Sequence, residues 1–273
     1  MKVENKISLN NVRTYHGLLC FTEEERVDIT IGNNLINIPK NSFIFIEKNI
    51  NLKIRLHNGK CPSIVYLDDE YIKKIHDILL LSIDYKAMNY SPPSPIYIRN
   101  ANDEDIVLFK KIKKYLSEPE DNDKNITQFA IITYLIIQFG SNIIKSISKM
   151  LKPKTKDKVL KIISADISKQ WTLSKVSEIM CMSEISLRKK LDSDGEKFMQ
   201  ILTDLRMNYG MRLLLTTEYT IEKLASSVGY NTTSYFIKIF KDYFGLTPKQ
   251  VALNIDRDFS SVFSILQSDC SLK

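Results

Sequence analysis

The chain has 273 residues, of which 44% are hydrophobic and 26% charged, and a formal net charge of +7. These values describe a globular protein long enough for one large core or two ordinary ones, and they exclude a disordered chain. Cys20, Cys61, Cys181 and Cys270 form no close pair, which excludes a disulfide scaffold and a zinc knuckle and fits a reducing compartment.

The first residues, MKVENKISLNNVRTYHG, hold no apolar run of signal-peptide length, and no later stretch matches an uninterrupted membrane span. The expectation is a cytoplasmic protein with no membrane partner. The basic excess suits a polyanion, yet it is shared between the two halves of the chain, so the case for nucleic acid rests on pattern.

From Tyr15 to Leu67 the chain runs through YHGLLCF, VDITI, LINI, SFIFI, LKIRL and SIVYL, separated by Gly32-Asn33-Asn34, Pro39-Lys40-Asn41 and Asn58-Gly59. Short Ile-, Val- and aromatic-rich runs bounded by Asn, Gly and Pro predict strands of an antiparallel sheet or small barrel, with the best hairpin at Gly32-Asn33-Asn34. After Asp68 the period lengthens, and Ile72, Ile75, Leu79 and Ile83 share one helical face behind an acidic start that suits the helix dipole. SPPSP at 91–95 removes backbone donors and reads as a loop. Residues 103–117 set Ile106, Phe109, Ile112 and Leu116 beside Lys110, Lys111, Lys113 and Lys114. That is an amphipathic helix ending near Pro119, its lysines either DNA-facing or an ordinary solvated face.

The most apolar stretch is ITQFAIITYLIIQFGSNIIKSISKM, residues 126–150. Phe129, Ile132, Ile136, Phe139 and Ile143 recur at helical spacing, and Ile131, Leu135 and Ile147 widen the stripe beyond what one neighbour covers. It is either a central core helix or a subunit interface, with a break at Gly140. LKPKTK at 151–156 reads as a linker, separating residues 1–150 from residues 157–273.

Beyond it two segments echo one another: WTLSKVSEIMCMSEISLRKKLD at 171–192 and TIEKLASSVGYNTTSYFIKIFKDYFG at 220–245. Leu173, Val176 and Met180 match Ile221, Leu224 and Val228 at an offset of 48, and Leu187 and Leu191 match Phe236 and Phe240 at 49. One small unit has been built twice. In each, Ser177 or Ala225 lets the next helix cross closely, and Cys181 or Gly229 stands where the turn needs positive φ. Ser183, and Asn231 or Thr232, are placed to cap a second helix. With Leu187, Leu191, Phe236, Ile239 and Phe240 inward, that helix presents Glu184, Ile185, Arg188 and Lys189, and likewise Thr232, Thr233, Ile237, Lys238 and Lys241, to a DNA groove. Arg188 suits guanine, the lysines suit phosphates, and Thr232 and Thr233 serve as caps or phosphate contacts. Residues 198–217, if wholly helical, span about 30 Å, close to the roughly 34 Å between successive major-groove faces.

GYNTTSYFIKIFKDYFGLTP at 229–248, with LRMNYGMRLLL at 205–215 and SEISLRK at 183–189, resembles the AraC/XylS family of bacterial regulators. The chain as a whole resembles that family's enteric virulence group, the ToxT, Rns and RegA kind. The resemblance implies an α+β protein: a cupin-like N-terminal antiparallel β domain with helices for effector sensing and dimerization, then an all-α domain with two tandem helix-turn-helix units. It further implies an activator of virulence or adhesin genes on double-stranded promoter DNA, a homodimer through the N-terminal domain, contact with RNA polymerase, and modulation by a small anion, bicarbonate or a fatty acid. Strands rich in Ile, Leu and Phe would line a cavity for an acyl chain, with Arg13, His16 or Arg55 meeting the negative head group. Three positions depart from the family pattern. Cys181 replaces the usual first-turn glycine, Ala252 stands near the place of an arginine, and Thr216 stands where a lysine helps hold a carboxylate; residues 254–273 have no family reading.

An enzyme is not expected. The chain lacks a P-loop, a Rossmann fingerprint and paired-cysteine or HExxH metal motifs, and His16, His57 and His76 are scattered. No metal or cofactor is expected. The rival readings are a metal-dependent cupin-type enzyme and an RNA-binding or scaffolding protein, and the accessible major groove of duplex DNA favours the DNA reading.

Overall fold

A computed structural model describes residues 6–58, 60–82, 94–116 and 122–254. Its first half holds strands β1 (Lys6–Arg13), β2 (Gly17–Thr22), β3 (Val27–Ile31), β4 (Asn34–Ile38), β5 (Ser42–Ile46), β6 (Asn51–His57), β7 (Ser63–Leu67) and β8 (Ile96–Asn100). Helix α1 (Asp69–Ser82) falls between β7 and β8, and α2 (Asp103–Leu116), α3 (Asn122–Ile137) and α4 (Ile143–Met150) follow. The strands make two four-stranded antiparallel sheets, β1-β6-β3-β4 and β7-β2-β5-β8, and no pairing among the described residues joins them into a closed barrel.

The central strands of the second sheet explain its composition. Both β2 and β5 are buried throughout, which requires a continuous apolar run rather than alternation. One face, Leu18, Cys20, Ile44 and Ile46, meets the first sheet. The other, Leu19, Phe21, Phe43 and Phe45, packs under the helices with Ile72, Phe109, Ile132 and Ile144. Between the sheets lies a cavity of about 30 Å³ lined by Leu18, Ile44, Leu52 and Cys61 among others. Side chains from both sheets fill the interior, so the expected acyl-chain cavity has room only for a water-sized guest.

The hairpin at Gly32-Asn33-Asn34 forms between β3 and β4. Two strands, β1 and β8, went unforeseen. In β1 the pairing register shifts between Leu9 and Val12, where Asn11 takes φ +54°, so Asn10-Asn11 interrupts the alternation that marks a strand. The 126–150 stretch breaks at Gly140, φ +88°. Its Ile132, Leu135, Ile136, Ile143, Ile144 and Ile147 lie fully buried in the chain's own core, which is the core alternative; Ile126 and Ile137 stay exposed. The loop expected at 91–95 falls mostly outside the described residues, as do Gly59, Ile83, Pro119, Cys270 and residues 255–273.

The second half is helical: α5 (Thr155–Ser164), α6 (Leu173–Ile179), α7 (Glu184–Ser193), α8 (Phe198–Thr216), α9 (Ile221–Ser227), α10 (Thr233–Phe244) and α11 (Pro248–Asn254). Helix α5 takes in Thr155 and Lys156 from the lysine-rich connection, and Lys156 is 1% exposed.

Candidate nucleic-acid interface

The duplication extends to single hydrogen bonds. Thr172 caps α6 by accepting from the Lys175 amide, and Thr220 caps α9 by accepting from the Lys223 amide. After α6, Cys181 N donates to Glu178 O at 3.0 Å and Met182 N to Ser177 O at 3.0 Å; after α9, Gly229 N donates to Ser226 O at 3.0 Å and Tyr230 N to Ala225 O at 2.9 Å. The turn residues carry positive φ, +52° at Cys181 and +81° at Gly229. Ser183 then caps α7 through the Ser186 amide and Thr232 caps α10 through the Tyr235 amide. Thr232 is therefore a cap, and Thr233 opens the helix.

Leu187, Leu191, Phe236 and Phe240 anchor the two second helices, all fully or almost fully buried. Lys189 and Lys238, two residues from each anchor, point directly away from the cores because a helix turns about 100° per residue. Glu184, Ile185, Arg188, Thr232 and Lys241 are likewise exposed, while Thr233, Ile237 and Ile239 are half-buried. Arg188 sits on the flank of α7, lining a groove with Trp171, Leu173, Phe198 and Met199. Residue counting did not single out Tyr235, which is 54% exposed, Ser234 or Lys190; the wheel fixed by Phe236 and Phe240 would have found the first two. Helix α8 joins the units, and its 19 residues span about 28 Å at the usual rise.

The effector candidates do not come together. The Arg13 guanidinium donates to Asp204 and, at 3.0 Å, to Glu196. Lys156 Nζ also reaches Glu196, at 2.8 Å, and burial together with the Arg13 charge holds its amine below the ordinary lysine value. Around this pair, Asn11 Nδ2 donates to Tyr243 O at 2.7 Å, and Tyr243 OH donates to Asp204 Oδ1 at 2.8 Å. Arg13 is thus committed to a seam between the strands and the helical half. Arg55 lies on the outer face of β6, 3.8 Å from Asp28 and 44% exposed, because Leu52, Ile54 and Leu56 take the inner positions. His16 borders a groove of about 540 Å³ between the halves, together with Tyr15, Lys158, Leu160, Lys161 and Leu205. His57 pairs with Asp28 at 3.1 Å and His76 with Ser148 at 2.9 Å. Among the described residues no three His, Cys, Asp or Glu are grouped as metal ligands, and no helix is long and apolar enough to cross a membrane.

Two capped helix-turn-helix units, held by one helix with their second helices exposed, define a bipartite DNA-binding module. Comparison with known proteins agrees. A helix-turn-helix domain family matches residues 176–253. The transcriptional activator AggR of Escherichia coli is 31% identical over 252 residues, 89% of this chain and 93% of its own, and the dual regulator Rns of the same species is 30% identical over the same shares. An apo ToxT variant from Vibrio cholerae superposes with a TM-score of 0.70 at 15% identity, covering 94% of this chain and 95% of its own. Unsaturated fatty acid-bound ToxT superposes with a TM-score of 0.63 at 16% identity, covering 93% of each chain. The chain belongs to the AraC/XylS family of transcriptional regulators and resembles the virulence activators of the ToxT, Rns and VirF type. It is accordingly a DNA-binding transcriptional activator by family.

Proposed function

We propose that the chain activates virulence or adhesin genes by reading promoter DNA in two successive major-groove faces, one per helix-turn-helix unit. The observation that carries this is the repeated, capped second helix with polar side chains directed away from the core. Glu184, Ile185, Arg188 and Lys189 serve the first face; Thr232, Thr233, Lys238 and Lys241 serve the second. Arg188 reads guanine from the edge of α7, and the lysines mainly hold phosphates. Residues 157–273 form the DNA-binding domain, residues 151–156 the linker, whose last two residues already belong to α5, and residues 1–150 a cupin-like domain for effector sensing and self-association. RNA polymerase is the partner that activation requires.

A small anion, bicarbonate or a fatty acid, modulates this activity. The fatty-acid form is supported by the ligand of the ToxT structure and by the groove between the halves, where Leu160 and Leu205 offer apolar wall and the cations Lys48, Lys158 and Lys161 stand among the carboxylates Asp68, Asp69, Glu70 and Asp157, so that a head group would have to meet the lysine side. Of Arg13, His16 and Arg55, His16 is the one that borders this groove.

Promoter-duplex binding at fixed salt tests the reading. Arg188→Ala is expected to lose about 1–3 kcal/mol of base discrimination while staying folded, and a folded variant with unchanged affinity and preference would remove the assignment. In the same assay at constant pH, titrated bicarbonate or oleate shifts wild-type affinity; no response to either, with no binding by calorimetry, would remove the effector.

A further inference from the structure

The two units are joined covalently through α8, but short non-helical links, residues 194–197 and 217–220, flank that helix. Each unit also packs on its own end of α8, Ile201 and Leu205 with the first core and Met207 and Met211 with the second, and apolar packing of this kind is non-directional and tolerates small rotations. The structure holds a second connection. From the middle of α8, Arg206, 7% exposed, donates through Nη2 to Lys169 O at 2.8 Å, in the segment that leads into the first unit. The same guanidinium lies over the ring of Tyr230 at 5.6 Å, in the turn of the second. Gln170 Nε2 closes the contact directly, donating to Gly229 O at 3.0 Å.

The approach is close enough to dictate a residue. A Cβ at Gly229 would stand 2.6 Å from Arg206 Nη2 and 2.7 Å from Ser168 O, so backbone meets backbone and guanidinium with no space for a side chain. At the matching turn of the first unit Cys181 is exposed and carries its side chain into solvent. The glycine of the second turn is thus required by the contact between units as well as by its own φ, which accounts for the unequal pair Cys181 and Gly229.

We infer that Arg206 and Gln170 are positioning residues that latch the second turn onto the segment preceding the first unit, and so set the separation and phase at which the two second helices meet DNA. Neither touches DNA. The latch rests on the reading that both units bind one duplex. It adds that their spacing is enforced by a ring of contacts running α8, Gly229–Tyr230 and Ser168–Gln170, and not by helix length alone. A rigid two-point reader rejects sites in which its two base blocks are rotated apart, because an added base pair forces either DNA or protein to deform.

Selection from a random duplex library with the full chain reads this out. The wild type is expected to return two base blocks at one separation, near 10 base pairs. One base pair inserted between the blocks costs it about tenfold in affinity, on the order of one mismatched pair. Arg206→Gln and Gln170→Ala are expected to return the same two blocks over several separations, with the insertion penalty reduced below about threefold. A loss of stability alone would lower affinity for all spacings equally. A folded Arg206→Gln protein that keeps the full insertion penalty overturns the latch. Should that variant fail to fold by circular dichroism, the exposed Gln170→Ala decides, and an unchanged penalty there overturns it. A wild-type selection that returns a single block overturns the two-unit reading itself, and the latch with it.

Discussion

The two helix-turn-helix units are built alike but attached to the rest of the molecule by different physics. The second shares an apolar core with the first sheet: Leu224, Val228, Phe236, Phe240 and Phe244 belong to one cluster with Ile7, Leu9 and Leu52. The first keeps a separate core of Val159, Ile163, Val176, Leu187, Leu191 and Ile201, and near it the strands are met by charge, Arg13 and Lys156 converging on Glu196 and Asp204. Apolar burial is non-directional and tolerant of small shifts. A buried ion pair holds one geometry and becomes a liability when one partner is lost.

Arg13→Ala is the sharpest way to break this contrast. It leaves Asp204, 2% exposed, without its cation, and is expected to cost about 3–5 kcal/mol in urea unfolding. Amide exchange should rise in α5 to α7 more than in α9 and α10. A loss below about 1 kcal/mol, the value of an exposed pair, or uniform exchange would show the two attachments to be equivalent.

Alkaline pH probes the same seam more gently. Burial and the neighbouring Asp204 charge push the Tyr15 and Tyr243 phenols above their ordinary value of 10.0. The folded state keeps protons that the unfolded chain releases, so this stability is full below pH 10 and lost as pH rises beyond it, by about 1.4 kcal/mol per pH unit for each tyrosine. Lys156, whose value is lowered, acts in the opposite sense only up to its ordinary 10.5, so the slope is read above that pH. Tyr243→Phe should make it shallower by one tyrosine's share; an unchanged slope would place the titration elsewhere.

The smallest expected effect lies in the first unit's turn. Cys181 holds φ +52° without the close contacts that surround Gly229. Cys181→Gly removes the left-handed penalty and adds some unfolded-state freedom, for a net gain of about 0.5–1 kcal/mol in chemical denaturation. A variant no more stable than the wild type would mean that the turn is not strained.

What was legible in the sequence follows from the range of each interaction. The repeat was readable because caps, turn residues and anchors sit within a few positions of one another, and offsets of 48 and 49 carried every one of them to its counterpart. The six foreseen strands were readable for the same reason, as apolar runs between turn residues. Strand β1 was not, because Asn10-Asn11 breaks its alternation, and β8, IYIRN, is too short and lies too close to prolines to stand out. The seam was illegible: Arg13 and Asp204 are 191 positions apart, and nothing near Arg13 distinguishes a buried ion-pair partner from a surface cation awaiting an anion. Arg206 was passed over within an apolar helix for the same reason, its partners being a backbone oxygen and a ring brought there only by folding.

The hydrogen bond from Asn11 to Tyr243 joins positions 232 residues apart, which makes it an event in time as well as in space. At ordinary synthesis rates, roughly 10 to 50 seconds separate the appearance of β1 from that of the helix that covers it. During that interval the sheet edge and its apolar residues Ile7 and Leu9, which share a core with α10, wait uncovered, and closing so long a loop is entropically slow. The cover over β1 is therefore completed late, and a product that ends before α10 leaves Ile7 and Leu9 without the apolar partners Phe236, Phe240 and Phe244.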